Sequence, residues 1–243
     1  MYLYRKENKM LLSCGAEEVF PFLQERGHIV SLVGAGGKTT LLYALANIAA
    51  AKGFHTLITT TTKIYEPPNG YAQSEAEVHR LWAEGKPAVV GARTTEGKLT
   101  ALPKEELERY RKEADLVLIE ADGAKHLPCK APRAQEPVLL AECDTVLAVF
   151  GLKSIGQPLE EVCFGLEEAK RLLGITETGH IVTPTDAVTL LSSEQGGRKN
   201  IGDRSFFAML HQCDVGMEQG GELLDRLQEK GIAAFLSCES KEN

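Results

Sequence analysis

The chain has 243 residues, of which 43% are apolar and 25% charged, with a formal net charge of −7. That composition is globular rather than disordered or fibrous, and the length suffices to bury a core without a disulfide or metal staple. An acidic balance with no dense Lys/Arg tract argues against nucleic acid as a partner, and no apolar run reaches the ~20 residues of a membrane helix, which argues against a membrane.

Short β-rich apolar runs alternate with helical patterns along the chain, which predicts an α/β fold, a mostly parallel sheet with helices on both faces. The glycine loop at residues 34–40 makes that fold P-loop NTPase-like. The expected strands are 28–33, 55–60, 88–92, 116–120, 145–150, 180–183, 206–211 and 232–236. The expected helices are 17–25, 38–52, 75–84, 104–113, 166–173, 184–191 and 218–230. Ser74 ahead of Glu75 and Glu77 reads as an N-cap, and Thr183-Pro184-Thr185-Asp186 places proline in a first helical turn. Residues 151–158 and 192–204 read as long loops, the second centred on Gly196-Gly197, and loops of this length are often lids or binding loops. Neither has the composition of a linker, so residues 1–243 are expected to form a single domain, with a C-terminal subdomain from about residue 151 as the alternative.

The most informative segment lies between the first long strand and its helix. Gly34-Ala35-Gly36-Gly37-Lys38-Thr39-Thr40 follows the buried run Ile29–Val33 and opens a helical pattern at Leu41, Leu42, Leu45 and Ala46. Glycines let successive backbone N–H groups curl around an anion, and the helix N-terminus adds partial positive charge. Lys38 is then placed to meet the terminal phosphates of a nucleoside triphosphate, and the Thr39 hydroxyl to join a Mg²⁺ shell. The loop is shorter than G-x-x-x-x-G-K-[ST], because Leu32 stands where the first glycine would be.

A second strand, Leu116–Ile119, runs into Glu120-Ala121-Asp122-Gly123. Carboxylates at the C-terminal edge of a parallel strand face the crevice where such sheets bind ligands. Glu120 is the expected metal residue together with Thr39, and Lys38, Glu120 and Asp122 are the expected catalytic group. Lys63, at the end of the threonine run 59–62, and Lys125 and Lys130, in the proline-fixed loop 124–133, are candidate anion contacts. Cys129 in that loop is a candidate thiol handle. The run Phe206–Asp214 ends where guanine readers place N-K-x-D, but carries His211 and Gln212 instead of Asn and Lys. ATP is therefore expected over GTP, with Asp214 read as a helix cap. His28, His55, His126 and His180 show no metal-ligand spacing.

The six cysteines are scattered singly with no C-x-x-C pair, and Met1–Glu7 lacks the apolar core of a signal peptide. The expectation is free thiols in a reducing, cytoplasmic setting.

The short loop and Glu120-Ala121-Asp122 are similar to the G-T-x-G-K-T-T loop and E-A-D strand end of Mur-type peptide ligases. The combination of Val33–Thr40, Thr59–Lys63, Glu120–Lys125 and Leu127–Pro132 more closely resembles the YqeC family, described as accessory proteins of selenium-dependent molybdenum hydroxylases. The resemblance implies an accessory protein in maturation of a selenium-dependent molybdenum hydroxylase, with that enzyme or its cofactor as partner. With the glycine loop it gives an ATP·Mg-binding protein for which hydrolysis of nucleoside triphosphate is one candidate activity. A small-molecule kinase, nucleotidyl transferase or Mur-like ligase, and a non-catalytic nucleotide-gated binding module, are the alternatives.

Overall fold

The computed structural model describes residues 1–238. Its main element is a sheet of nine strands: β1 (Tyr2–Glu7), β2 (Met10–Cys14), β3 (His28–Gly34), β4 (Thr56–Thr60), β5 (Ala88–Val89), β6 (Leu116–Glu120), β7 (Thr145–Gly151), β8 (Ser205–His211) and β9 (Ala233–Cys238). Their order is β2-β1-β9-β8-β7-β3-β6-β4-β5. The seven strands from β9 to β5 run parallel, and β1 and β2 add an antiparallel hairpin at one edge.

The longer helices are α1 (Lys38–Ala51), α2 (Glu75–Ala83), α3 (Lys104–Arg111), α4 (Leu166–Leu173), α5 (Pro184–Ser192) and α6 (Met217–Glu229). Alternate side chains of a strand face opposite sides of a sheet, and the core divides accordingly. Val30, Leu32, Leu118, Leu147 and Val149 pack with Leu41, Leu42 and Leu45 of α1 and with Phe20 and Phe22. Ile29, Val33, Ile119, Ala148 and Phe150 pack with residues of α2, α3, α5 and α6. Near-continuous burial of β3, β6 and β7 follows, because both faces are covered. The fold is thus α/β, with a large, mostly parallel sheet flanked by helices.

Parallel register brings distant residues to one edge. Leu32 and Thr60 both pair with Glu120, Gly34 pairs with Val149, and Gly151 pairs with His211. The C-terminal ends of β3, β4, β6, β7 and β8 therefore meet where each strand hands over to a loop.

Both helix starts read from the sequence are present. The Ser74 hydroxyl accepts from the Glu77 amide, and Thr183 and Asp186 form a reciprocal capping box with Pro184 at the first position. Other expectations are corrected. Residues 17–25 do not make one helix, because Pro21 ends Ala16–Val19 and a 3₁₀ turn, Pro21–Leu23, follows. Residues 180–183 are not a strand: Ile181 makes one isolated bridge to Pro158, and Thr183 is committed to capping α5. The run 88–92 divides between β5 and the strand Ala92–Arg93. The latter belongs to a small antiparallel sheet with Lys63–Tyr65 and Lys98–Thr100. Asp214 lies in a 3₁₀ turn, and Gly216 is the N-cap of α6. Cys213 and Cys238 are joined as a disulfide, so two of the six cysteines are not free thiols. The hairpin β1–β2 was not expected: its two-residue turn, Asn8-Lys9, has left-handed φ values of 48° and 66° without the glycine that usually signals it.

Candidate functional site

The turn between β3 and α1 has a shape that only glycine fits at two points. Gly36 has φ of +82°, and a Cβ there would overlap the Gly151 backbone and the Pro128 carbonyl; Gly37 has φ of +122°, and a Cβ there would overlap the His211 ring. The loop is therefore held between β7, β8 and the segment after β6, and its backbone hydrogen bond from the Ala35 amide to the Val149 carbonyl, at 2.9 Å, fixes it further.

Lys38, at the first position of α1, is 5% exposed. Its ammonium donates to the Gly34 carbonyl and lies 3.0 Å from Asp122 Oδ1. Asp122 Oδ2 accepts from the Gly34 amide at 2.9 Å and lies 3.2 Å from Lys130 Nζ. Lys130 in turn sits 2.9 Å from Glu136 and donates to the Gly123 carbonyl. Two lysines and two carboxylates thus form a mutually neutralised cluster, which is how charge is tolerated at this depth.

Thr39 and Glu120 meet beside it: Thr39 Oγ1 donates to Glu120 Oε2 at 2.7 Å. Burial pushes the Glu120 carboxyl above its usual range, partly offset by the Lys38 charge and the Thr39 hydrogen bond, while Asp122 adds to the rise. Tyr43, on the next turn of α1, is pushed up to about 12 by burial and by the Glu120 charge. A hydroxyl and a carboxylate oxygen converging at one exposed corner form a hard-oxygen pair that fits Mg²⁺.

The other expected residues lie at different depths and distances from this cluster. Thr40 is exposed on the first turn of α1. Lys63 is exposed on the small sheet, with its ammonium 3.8 Å from Glu96, outside the Lys38–Glu120 cluster. Lys125 is exposed, 6.0 Å from the Phe164 ring, and Arg133 lies 4.3 Å over the same ring. Lys130 is inside the ion cluster rather than at the surface. The threonine run ties the edge together: Thr60 Oγ1 donates to the Glu120 carbonyl at 2.8 Å and Thr61 Oγ1 to the Val138 carbonyl at 2.8 Å. Cys129 is fully buried, and a hydrogen bond with Cys163, together with burial, holds its thiol well above the usual value. A thiol kept protonated and out of contact with solvent is a packing group, not a nucleophile.

Behind Gly34 lies a cavity of about 20 Å³, lined in part by Asp122, Lys130, Pro132, Gly196 and Gly197. It has room for a water. The loop centred on Gly196-Gly197 closes this rear wall, with the Gly197 amide donating to the Leu190 carbonyl at 2.7 Å.

Comparison with known proteins covers the segments that carry these residues. A family model described as YqeC protein matches residues 30–167, which contain the glycine loop, the threonine run and the acidic strand end. The chain is also 32% identical over 225 residues to "Uncharacterized protein YqeC" of Escherichia coli (strain K12), covering 87% of each chain. The chain belongs to the YqeC family. Two residues beside this YqeC cluster were not picked out by sequence reasoning: Glu136, which pairs with Lys130, and Tyr43, which feels the Glu120 charge. They become visible only when β6 and α1 pack against their neighbours.

Proposed function

We propose that this YqeC protein binds a nucleoside triphosphate with Mg²⁺ at Gly34–Thr40, with the P-loop logic of an NTPase and a preference for ATP. The observation that carries the reading is the pairing of Thr39 Oγ1 with Glu120 Oε2 at 2.7 Å, next to the buried Lys38 ammonium. Three separate requirements of triphosphate binding converge there: a cation for phosphate, a hydroxyl and a carboxylate for the metal. Gly34 and Ala35 shape the loop through amides bonded to Asp122 and the Val149 carbonyl. Gly36 and Gly37 supply backbone N–H groups to the phosphates, and Thr39 and Thr40 lie in the first turn of a helix whose N-terminus favours anions.

In this reading Lys38 exchanges its contacts with Gly34 and Asp122 for phosphate oxygens. Asp122 keeps its bonds to the Gly34 amide and to Lys130, so it positions the loop and remains neutralised. Glu120 and Thr39 hold the metal, whose chemistry is to offset charge on the phosphate oxygens. Lys63 and Lys125 are the exposed cations left to meet an acceptor or partner. The association with maturation of a selenium-dependent molybdenum hydroxylase rests on the family resemblance. Free phosphate as product would mark a hydrolase, a phosphorylated acceptor a kinase or ligase, and binding without turnover a nucleotide-gated module.

Calorimetry with ATP·Mg²⁺ tests the reading. Lys38→Ala should weaken binding by about 2 kcal/mol or more, the worth of a charge-assisted contact; unchanged affinity would remove the assignment. In competition, ATP should bind at least as well as GTP, since His211 and Gln212 stand in place of the guanine-reading pair. A preference for GTP of about tenfold, roughly 1.4 kcal/mol, would overturn that part.

A further inference from the structure

The loop after β6 makes a turn that its own residues do not favour. Lys125 and His126 have φ of 48° and 64°, and the Leu127 amide closes onto the Ala124 carbonyl at 3.0 Å. This is the geometry of a type I′ turn, in which glycine, asparagine and aspartate are the usual central residues. Two bulky residues in left-handed conformation persist where the surroundings hold them, and such positions cluster at ligand sites.

The contacts that hold them come from two directions. The His126 ring stacks on Tyr65, with centroids 5.6 Å apart and planes 24° apart. Tyr65 belongs to the small sheet, is 60% exposed, and has the Lys98 ammonium 4.9 Å from its ring centre. On the other side the loop is pressed onto the glycine turn. Pro128, two residues after His126, accepts from the Gly151 amide at 2.9 Å, and its carbonyl lies against Gly36. His126 is exposed, in the segment that leaves the Glu120 end of β6 and reaches the glycine turn at Pro128.

The position has a consequence for the nucleotide reading, on which this inference rests. Loop amides cradle the inner phosphates, whereas the lysine and the metal corner serve the outer ones. The turn that carries His126 joins the Glu120 strand end to the glycine loop, so it stands at the same sheet edge as both. We propose that His126, positioned by its stack on Tyr65, is a further binding residue for the terminal phosphate, so that the site discriminates a nucleoside triphosphate from a diphosphate. An imidazole N–H suits this contact, because it donates one directed hydrogen bond to a phosphoryl oxygen.

The test compares AMP-PNP·Mg²⁺ with ADP·Mg²⁺ on the full chain by calorimetry, with the His126 imidazole followed by NMR. In His126→Ala, triphosphate affinity should fall about tenfold while ADP affinity stays within about twofold. His126→Gln, which keeps an N–H donor, should recover part of the loss, and Tyr65→Ala should move the ratio in the same direction as His126→Ala. The His126 imidazole resonances should shift with AMP-PNP·Mg²⁺ and not with ADP·Mg²⁺. If both nucleotides bind and the ratio is unchanged in His126→Ala, the stack merely pins a surface loop and the inference falls alone. If neither nucleotide binds or shifts the amides of Gly34–Thr40, the nucleotide reading fails and takes this inference with it.

Discussion

Glu120 and Asp122 are two residues apart, buried, and at the same sheet edge, yet their partners separate their work. Glu120 faces the hydroxyl of Thr39 and the exposed corner, whereas Asp122 is 1% exposed and engaged by the Gly34 amide, Lys38 and Lys130. Glu120→Gln keeps the shape and removes the charge that a metal needs. It should leave the fold intact, weaken the Mg²⁺ dependence of ATP affinity and remove most hydrolysis. Asp122→Asn should act differently, by leaving two buried ammonium groups with one carboxylate. Loss of a buried ion-pair partner costs about 3–5 kcal/mol, so the expected signature is a lowered Tm before any nucleotide is added. Denaturation and Mg²⁺ titration of both variants check this, and a wild-type Mg²⁺ dependence in Glu120→Gln would move the metal carboxylate elsewhere.

At the scale of elements, α5 shows how a short sequence sets its own boundary. Thr183 and Asp186 satisfy each other's backbone amides at 3.2 and 2.8 Å, and His180 Nε2 lies 2.8 Å from Asp186 Oδ2. Burial would raise the Asp186 pKa, but the hydrogen bonds from His180 and Thr183 outweigh it and hold the carboxyl below its usual value. A carboxyl depressed in the folded state contributes stability that is complete above the unfolded value, about 3.9, and is lost as pH falls through the folded value. Asp186→Asn should therefore cost about 1 kcal/mol at neutral pH, a Tm shift of roughly 2–4 °C for a chain of this size. The gap to wild type should close as the solution is acidified below about pH 3.9. A constant gap across that range would show that the cap works through shape rather than charge.

For the whole molecule, the sheet draws the first strand and the last described strand together. The hairpin β1–β2 pairs with β9, and Cys238 at the end of β9 is bonded to Cys213 after β8. The sequence reading expected free thiols because the cysteines are widely spaced, and spacing carries no information about which strand ends adjoin. Alkylation of the unfolded, unreduced chain should label four thiols: Cys14, Cys129, Cys143 and Cys163. Replacing Cys213 with Ser should cost about 3.5 kcal/mol, the loop-closure value for a cross-link spanning 25 residues. Six labelled thiols, with Cys213→Ser as stable as wild type, would restore the original expectation.

What the sequence determined by itself is local. The glycine turn, the acidic strand end, the buried strand runs and the caps at Ser74 and Thr183 are written in neighbouring residues, because backbone preference and side-chain capping act over a few positions. The α/β alternation followed from the same signals summed along the chain. Only the tertiary structure decided that Lys130 lies inside an ion cluster with Glu136 and Asp122 rather than free to clamp an anion. It alone stacked His126 on Tyr65, set His211 against Gly37 and closed Cys213 onto Cys238. The contacts of His211 and of Cys213 with Cys238 depend on parallel register between strands far apart in the chain, where a one-residue slip would turn each strand side chain to the opposite face. That register is fixed by burial on both faces of the sheet, a property of the packed whole.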